Sequence, residues 1–302
     1  MAINRSQLRK HLEPGLNAMF GMSYKQYPDE GQGVYEMENS VRAFEEEQMN
    51  SGFGNAVKKA EGGPVSFDTA QETFTARYNH MTYALAFRIT EEAIEDNLYE
   101  SLSKQYSQAL GRSMAHTKNI EAASVLNYGF TAGEHAIGDG KALFASDHPT
   151  LSGDQSNTLA VAADLSEAAL EDMMIKIRDT RDEKGLRIAA AGKRLVIPPD
   201  LMFVAQRILA SKLRSGTSDN DINALRSMGL LSEAPAVMQF LTDPDAWFVK
   251  TDVPNGLKRF NRVSLSTKMD EDFHTGDLLY KCRERYSHGV SDWRGIWGVA
   301  GA

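Results

Sequence analysis

The residue types best suited to chemistry gather between positions 133 and 149. His135, Asp139, Asp147 and His148 combine imidazoles with carboxylates, a donor set that suits several divalent metal ions. No two of them have the i, i+4 spacing that sets a ligand pair on one helix face. Asp147-His148-Pro149 also reads simply as a turn. Gly133, Gly138 and Asp139-Gly140-Lys141 have the look of a phosphate loop, but Ala142 stands where such a loop needs Ser or Thr. Gly31-Gln32-Gly33 lacks the third glycine and the following helix of a dinucleotide fingerprint. No Gly-x-Ser-x-Gly elbow occurs. Lys58-Lys59 is a candidate reactive pair or a solubilising one. The sequence therefore predicts no catalytic residue, no metal and no cofactor. Exchanging His135 and His148 for Ala is expected to loosen the loop only modestly.

Composition narrows the classes further. The 302 residues are 42% hydrophobic and 25% charged, as in water-soluble globular proteins, and allow one elaborate domain or two ordinary ones. No run of 18 apolar residues exists to span a membrane. The first ten residues lack an apolar signal core. Cys282 is the sole cysteine, which excludes an internal disulfide and makes a reducing cytoplasm the natural place of synthesis. A formal net charge of −8 is the wrong sign for a protein that grips nucleic acid tightly.

The elements that would position these residues are unusual. Residues 1–49 read as an arm broken by Pro14, Gly15, Gly21, Pro28, Gly31 and Gly33, with a short helix from Ser6 through His11. Glu45-Glu46-Glu47 reads as a solvated helical turn. Residues 50–89 read as a long hairpin, with Val65 and Phe67 alternating on the outbound strand, a polar turn at Asp68–Gln71, and a return strand from Glu72. On that strand Phe74, Ala76 and Tyr78 share one face, whereas Met81, Tyr83, Leu85, Phe87 and Ile89 share the other. The phase change has two readings. Either the distal half lies on another chain, leaving Phe67, Phe74 and Tyr78 exposed in the subunit, or a bulge near Asn79-His80 reverses the faces. Thr90 then starts a helical pattern of about 36 residues, roughly 54 Å long, through the row Ile94, Leu98, Leu102, Tyr106, Leu110 and Met114 to Ala122, Ala123 and Leu126, closed by Gly129.

Beyond it lies a loop-rich segment at 131–163. An amphipathic helix follows from Asp164 or Ser166 to Gly185 (Leu170, Met173, Met174, Ile177), then a buried strand Arg194–Ile197 stopped by Pro198-Pro199. Asp200 caps a further helix to Leu213, and residues 215–234 are polar and helical in patches. Ala246–Val249 and Val263–Leu265 are strands about a turn at Pro254-Asn255-Gly256, and Leu278–Arg283 is a last strand. Helices and strands mix without βαβ alternation, which predicts α+β.

These residues resemble a known family. Phe53-Gly54 and the run Arg77-Tyr78-Asn79-His80-Met81-Thr82-Tyr83 through Thr90 are similar to the extension loop and spine-helix start of tailed-phage major capsid proteins, nearest the Mu-like prophage head subunits. The likeness continues through Leu143-Phe144, Asp147-His148-Pro149, Asn157, Arg194–Leu201, Asp219–Asn223, Asp243–Phe248 and Arg285–Gly295. It implies a Hong Kong 97 type fold, with an N-terminal arm (1–49), an extension loop (50–89), a peripheral domain with a spine helix (90–130), an axial domain (131–255) and C-terminal strands returning to the peripheral domain (256–302). It implies inter-subunit contacts at Phe53, Lys58, Lys59, Phe67, Phe74 and Tyr78, and self-assembly as hexamers and pentamers around double-stranded DNA contacted non-specifically. The virion is then the site of action and the host cytoplasm the site of assembly. Because the arm begins at Met1, a separate scaffolding protein and a portal are expected, and a decoration protein is a further candidate partner. Relatives that cross-link use a loop lysine, an asparagine and a glutamate. Lys58 or Lys59 matches the first and nothing matches the others. The rivals are an encapsulin-like compartment of the same fold, and a soluble metal- or phosphate-dependent enzyme built on the 133–149 loop.

Overall fold

The computed structural model describes residues 5–95, 99–133, 135, 137–213 and 221–302. The elements run α1 (Arg5–Gln26), β1 (Glu36–Asn39), β2 (Phe44–Asn50), β3 (Glu72–Asn79), β4 (Met81–Ile89), α2 (Glu91–Glu95), α3 (Tyr99–Asn127) and α4 (Glu167–Arg178). They continue with β5 (Gly192–Ile197), α5 (Met202–Ala210), α6 (Ala224–Met228), β6 (Ala236–Val237), β7 (Trp247–Thr251), β8 (Leu257–Glu271), β9 (Leu278–Val290) and β10 (Ile296–Val299). Besides two four-stranded sheets, ordered β1-β8-β9-β4 and β10-β7-β5-β6, the chain forms a separate two-stranded hairpin, β2-β3, between β1 and β4. The α+β expectation holds.

The first sheet packs one face on the helices. Leu16 and Phe20 of α1, Leu110 and Met114 of α3, and Ile89, Met269, Tyr280 and Cys282 of the sheet form one apolar cluster. Gly111, the one glycine in α3, marks the closest approach of α1: a Cβ there would stand 2.8 Å from the Phe20 carbonyl oxygen. The expected short helix from Ser6 to His11 is therefore corrected to a 22-residue helix that runs through Pro14 and Gly15. Proline costs a helix one internal hydrogen bond. Burial of Leu16 and Phe20, with the Ser107 hydroxyl donating to the Leu16 carbonyl (2.8 Å), outweighs that loss. This part of the arm lies on its own chain.

In the helical row, Leu110 and Met114 are buried, Tyr106 is half exposed, and Ala122, Ala123 and Leu126 enter a second cluster with Val196, Phe248 and Trp293. Leu98 lies outside the described residues, as do the side chains of Ile94 and Leu102. The third cluster joins α4 (Leu170, Met173, Ile177) to β5, β7 and Trp297. Here Ser166 caps α4 by accepting from the Ala169 N–H, and the helix stops at Arg178 rather than Gly185. Asp200 falls in a short 3-10 turn, and α5 ends at Ala210 rather than Leu213. Asp219 and Asn220 lie outside the described residues. The expected last strand, Leu278–Arg283, lies in β9 of the first sheet beside β8, and a further strand, β10, pairs with β7 in the second.

Candidate functional site

The most reaching element is the hairpin, and its register corrects the sequence reading. The outbound strand is β2, with Glu45 opposite Tyr78 and Glu47 opposite Ala76. Residues 51–71 carry no strand, so Val65 and Phe67 sit in an open loop. Glu45-Glu46-Glu47 is accordingly a strand and not a helical turn. Its period of two turns Glu45 and Glu47 inward, toward partners far along the chain.

Glu47 meets Lys258, which also binds Glu38 (2.9 Å) across from β1, and Lys258 is almost fully buried. Burial opposes the lysine's charge, but the hydrogen bonds it donates to Glu47 and Glu38 outweigh it and hold its pKa above the ordinary value. The Tyr78 hydroxyl donates to Ser291 (2.5 Å), whose hydroxyl donates on to Glu47. Beside this relay runs a second one. Ser40 donates to Glu45 (2.7 Å), so it accepts from His80 Nε2 (2.9 Å), and His80 Nδ1 accepts from Ser287 (2.9 Å). A neutral His80 fits this pattern, and burial followed by the Arg285 charge lowers its pKa.

The expected exposure of Phe74 and Tyr78 is corrected here. Tyr78 is only 3% exposed, edge-on to Phe260 at 4.8 Å, and Phe74 packs against the α3 cluster. The phase switch is internal: buried Ala76, Tyr78 and His80 belong to the hairpin and its exit, whereas β4 pairs with β9 and buries Ile89. The faces reverse at the strand break at His80, where pairing passes from β2 to β9, rather than at a bulge. Met81 and Leu85 stay exposed.

The loop itself has two ties. Ser51 and Gln71 bond each other at its base (2.8 Å each), and Asp68 accepts from the Gly54 N–H (2.7 Å) and from Lys184 (2.8 Å). Lys184 also donates to the Thr69 carbonyl (2.7 Å). The Lys184 bond, then the Gly54 and Thr69 N–H groups, bring the Asp68 pKa down to about 2. Between the ties Phe53 is 64% exposed and Phe67 96% exposed, with Val57, Val65, Lys58 and Lys59 also in the open.

The candidate metal residues part company. His148 and Asp139 meet at 2.7 Å with both side chains inaccessible, and His148 stacks on Trp293 at 4.5 Å. Asp147 turns outward to Lys141, and His135 lies by Ser124 of α3 (3.4 Å). Asp139 also accepts the Lys141 N–H (3.0 Å), so the loop's own carboxylate takes a donor that a phosphate would need. Among the described residues, no three His, Cys, Asp or Glu groups are arranged to hold a metal. Asp147-His148-Pro149 is thus more than a turn, because His148 is part of the core. Sequence reasoning also missed the buried triad in which Arg294 binds Glu183 (2.7 Å) and Asp292 (3.4 Å). Only the near-neighbour pair Asp292/Arg294 was visible in advance.

The comparisons agree with this architecture. No curated protein matches the chain. Among solved structures it is similar to a virus-like particle from Pyrococcus furiosus, at 9% identity over 95% of this chain and 98% of that one, with a TM-score of 0.56. It is similar also to the capsid of cyanophage P-SCSP1u (10% identity, 89% and 86% covered, TM-score 0.56). The capsid of an empty GTA particle is a third match (12% identity, 91% and 90% covered, TM-score 0.55). The fold is the Hong Kong 97 type. The model of the family described as phage capsid protein matches residues 73–299, well over half of the sequence, and the chain belongs to that family.

Proposed function

We propose that this chain is the major head subunit, which self-assembles as pentamers and hexamers into an icosahedral shell enclosing double-stranded DNA. The observation that carries this reading is the extension loop. Phe53, Val57, Val65 and Phe67 stand in the open on a segment tied down at its ends. Fully burying such a side chain is worth about 1.5–3 kcal/mol, and another subunit is the surface a shell protein offers for it. Lys58 and Lys59 flank the same contact. The shell is built in the host cytoplasm with a separate scaffolding protein and portal, a decoration protein being a further partner, and it acts in the virion. The subgroup is the Mu-like one, and no residue is catalytic. Size exclusion and negative-stain microscopy of the purified chain test the reading. Capsomers, tubes or shells are expected, with DNA inside particles made during infection. A small monomer or dimer at every concentration would overturn it.

A further inference from the structure

A cavity of about 520 Å³ opens between the 146–160 loop, the last turn of α4 with the turn that follows it, and Trp297 of β10. Its volume lies within the range of about 300–1,000 Å³ common to small-molecule sites. Part of its polar wall is already engaged. Ser156 donates to the Thr158 carbonyl (2.9 Å), Thr180 to the Lys176 carbonyl (3.5 Å), and Asp179 pairs with Arg187 (3.0 Å). The rest is open. Ser146 Oγ, Thr158 Oγ1, Lys176 Nζ and the Asp154 carboxylate have no hydrogen-bond or ion-pair partner among the described residues. Arg181 spends one guanidinium nitrogen on the Gly185 carbonyl (3.3 Å) and keeps the others. Trp297, only 3% exposed, has an indole N–H without an acceptor among the described residues.

We infer that this cavity binds an acidic saccharide, a sugar ring that carries a carboxylate. The unspent groups of the wall select that chemistry. The ammonium of Lys176 and the guanidinium of Arg181 make charge-assisted hydrogen bonds to a carboxylate. Ser146 and Thr158 can each donate to and accept from a hydroxyl, and Asp154 accepts from one. Asp154 decides between ligands. It can take a hydrogen bond from a sugar hydroxyl, whereas it repels a phosphoryl group, which carries about −1.5 to −2 near neutral pH. A neutral sugar, in turn, leaves the two cations without a counter-charge. The inference goes beyond the capsid reading and does not depend on it, because every residue of the wall belongs to one chain.

The test is calorimetric titration of the purified chain with glucuronate, galacturonate, glucose and inorganic phosphate, at neutral pH and about 0.05 M NaCl, where screening is weak. At least one uronate should bind, and glucose and phosphate should bind about tenfold more weakly or worse, the effect of losing one hydrogen bond to a charged group. Lys176→Gln with Arg181→Gln should weaken uronate binding by about tenfold or more. Lys176→Gln alone is the second variant, since that side chain holds nothing else in the described chain, and it should act in the same direction. Asp154→Ala gives the decisive sign: it should weaken the uronate although it removes a negative charge, and should not weaken phosphate. Binding of neither uronate, or unchanged binding in the Lys176 variants, would overturn the inference. Glucose binding as tightly as the uronates would do the same, because the cations would then take no part. Phosphate binding as tightly, or a uronate that binds Asp154→Ala more tightly, would overturn it in favour of a simple anion site. Size exclusion on the same samples keeps the two readings apart: a chain that binds a uronate with these variant effects but never assembles supports this inference and overturns the capsid reading alone.

Discussion

Replacing His148 with Ala probes a fully enclosed polar group. The Asn157 side-chain nitrogen donates to the carbonyls of Leu143 (2.7 Å), Trp293 (3.3 Å) and Ile296 (3.2 Å), which fixes the orientation of its amide. Asn157 Oδ1, accepting from the Ala145 N–H (3.0 Å), then faces His148 Nε2 at 3.1 Å, so that nitrogen must carry a proton. One further proton is shared between His148 Nδ1 and Asp139, and the enclosed pair is neutral overall. Removing the imidazole strands Asp139 without its partner inside the protein. Breaking a buried charged pair in this way costs about 3–5 kcal/mol, against about 1–3 kcal/mol for an unsatisfied neutral group. Loss of the stack on Trp293 adds about 0.5–1.5 kcal/mol. His148→Ala should therefore destabilise the subunit by about 4 kcal/mol, on the order of 10 °C in thermal midpoint, and not merely loosen the loop. Adding Asp139→Asn removes the stranded charge and keeps an acceptor for the Lys141 N–H, so it should restore about 2 kcal/mol. Thermal unfolding at one fixed protein concentration, where assembly contributes equally, measures both steps. A His148→Ala midpoint near wild type, or a double variant no better than the single one, would refute the argument.

Other consequences are as direct. Phe53→Ser with Phe67→Ser should leave the circular dichroism and solubility of the subunit unchanged and abolish shells in micrographs; loss of folded subunit would place these rings in its core. Asp68→Asn should free the loop, read as faster proteolysis between residues 54 and 68 at neutral pH. In the wild type the depressed pKa makes the Asp68 tie complete above the ordinary carboxylate value of about 3.9 and loses it as pH falls toward about 2, so cleavage by an acid-active protease should rise across that window. Gly256→Ala would set a Cβ 2.8 Å from the Gly295 Cα where two backbones cross, and should cost at least about 2 kcal/mol in denaturant unfolding.

What was legible in the sequence was whatever local pattern decides. The apolar alternation of β4, the Ser166 cap, the apolar face of α4 and the turn before Gly256 all follow from residues near one another. The elements misread were those whose partners lie far away. Glu45-Glu46-Glu47 has the local character of a solvated turn. Pairing with β3 makes it a strand, and Lys258, some 211 positions on, receives the inward carboxylate of Glu47. Pro14-Gly15 looks like a break until α3 supplies a surface that offsets the cost of continuing the helix. His148 and Asp139 look like metal ligands because composition records donor types and not the directions they face, and the eight residues between them say nothing of Asn157 and Trp293. The same limit explains why the expected exposure holds for Phe67 and not for Tyr78. Both are aromatic residues on a reaching segment, yet Tyr78 has Phe260 and Ser291 within the chain to receive it, whereas Phe67 lies beyond the hairpin, 96% exposed. Exposure on a long loop is thus legible from reach alone. Burial at its root depends on which distant strand arrives beneath it, and in this chain that strand brings both an aromatic partner, Phe260, and the charged partner Lys258, which no local periodicity announces.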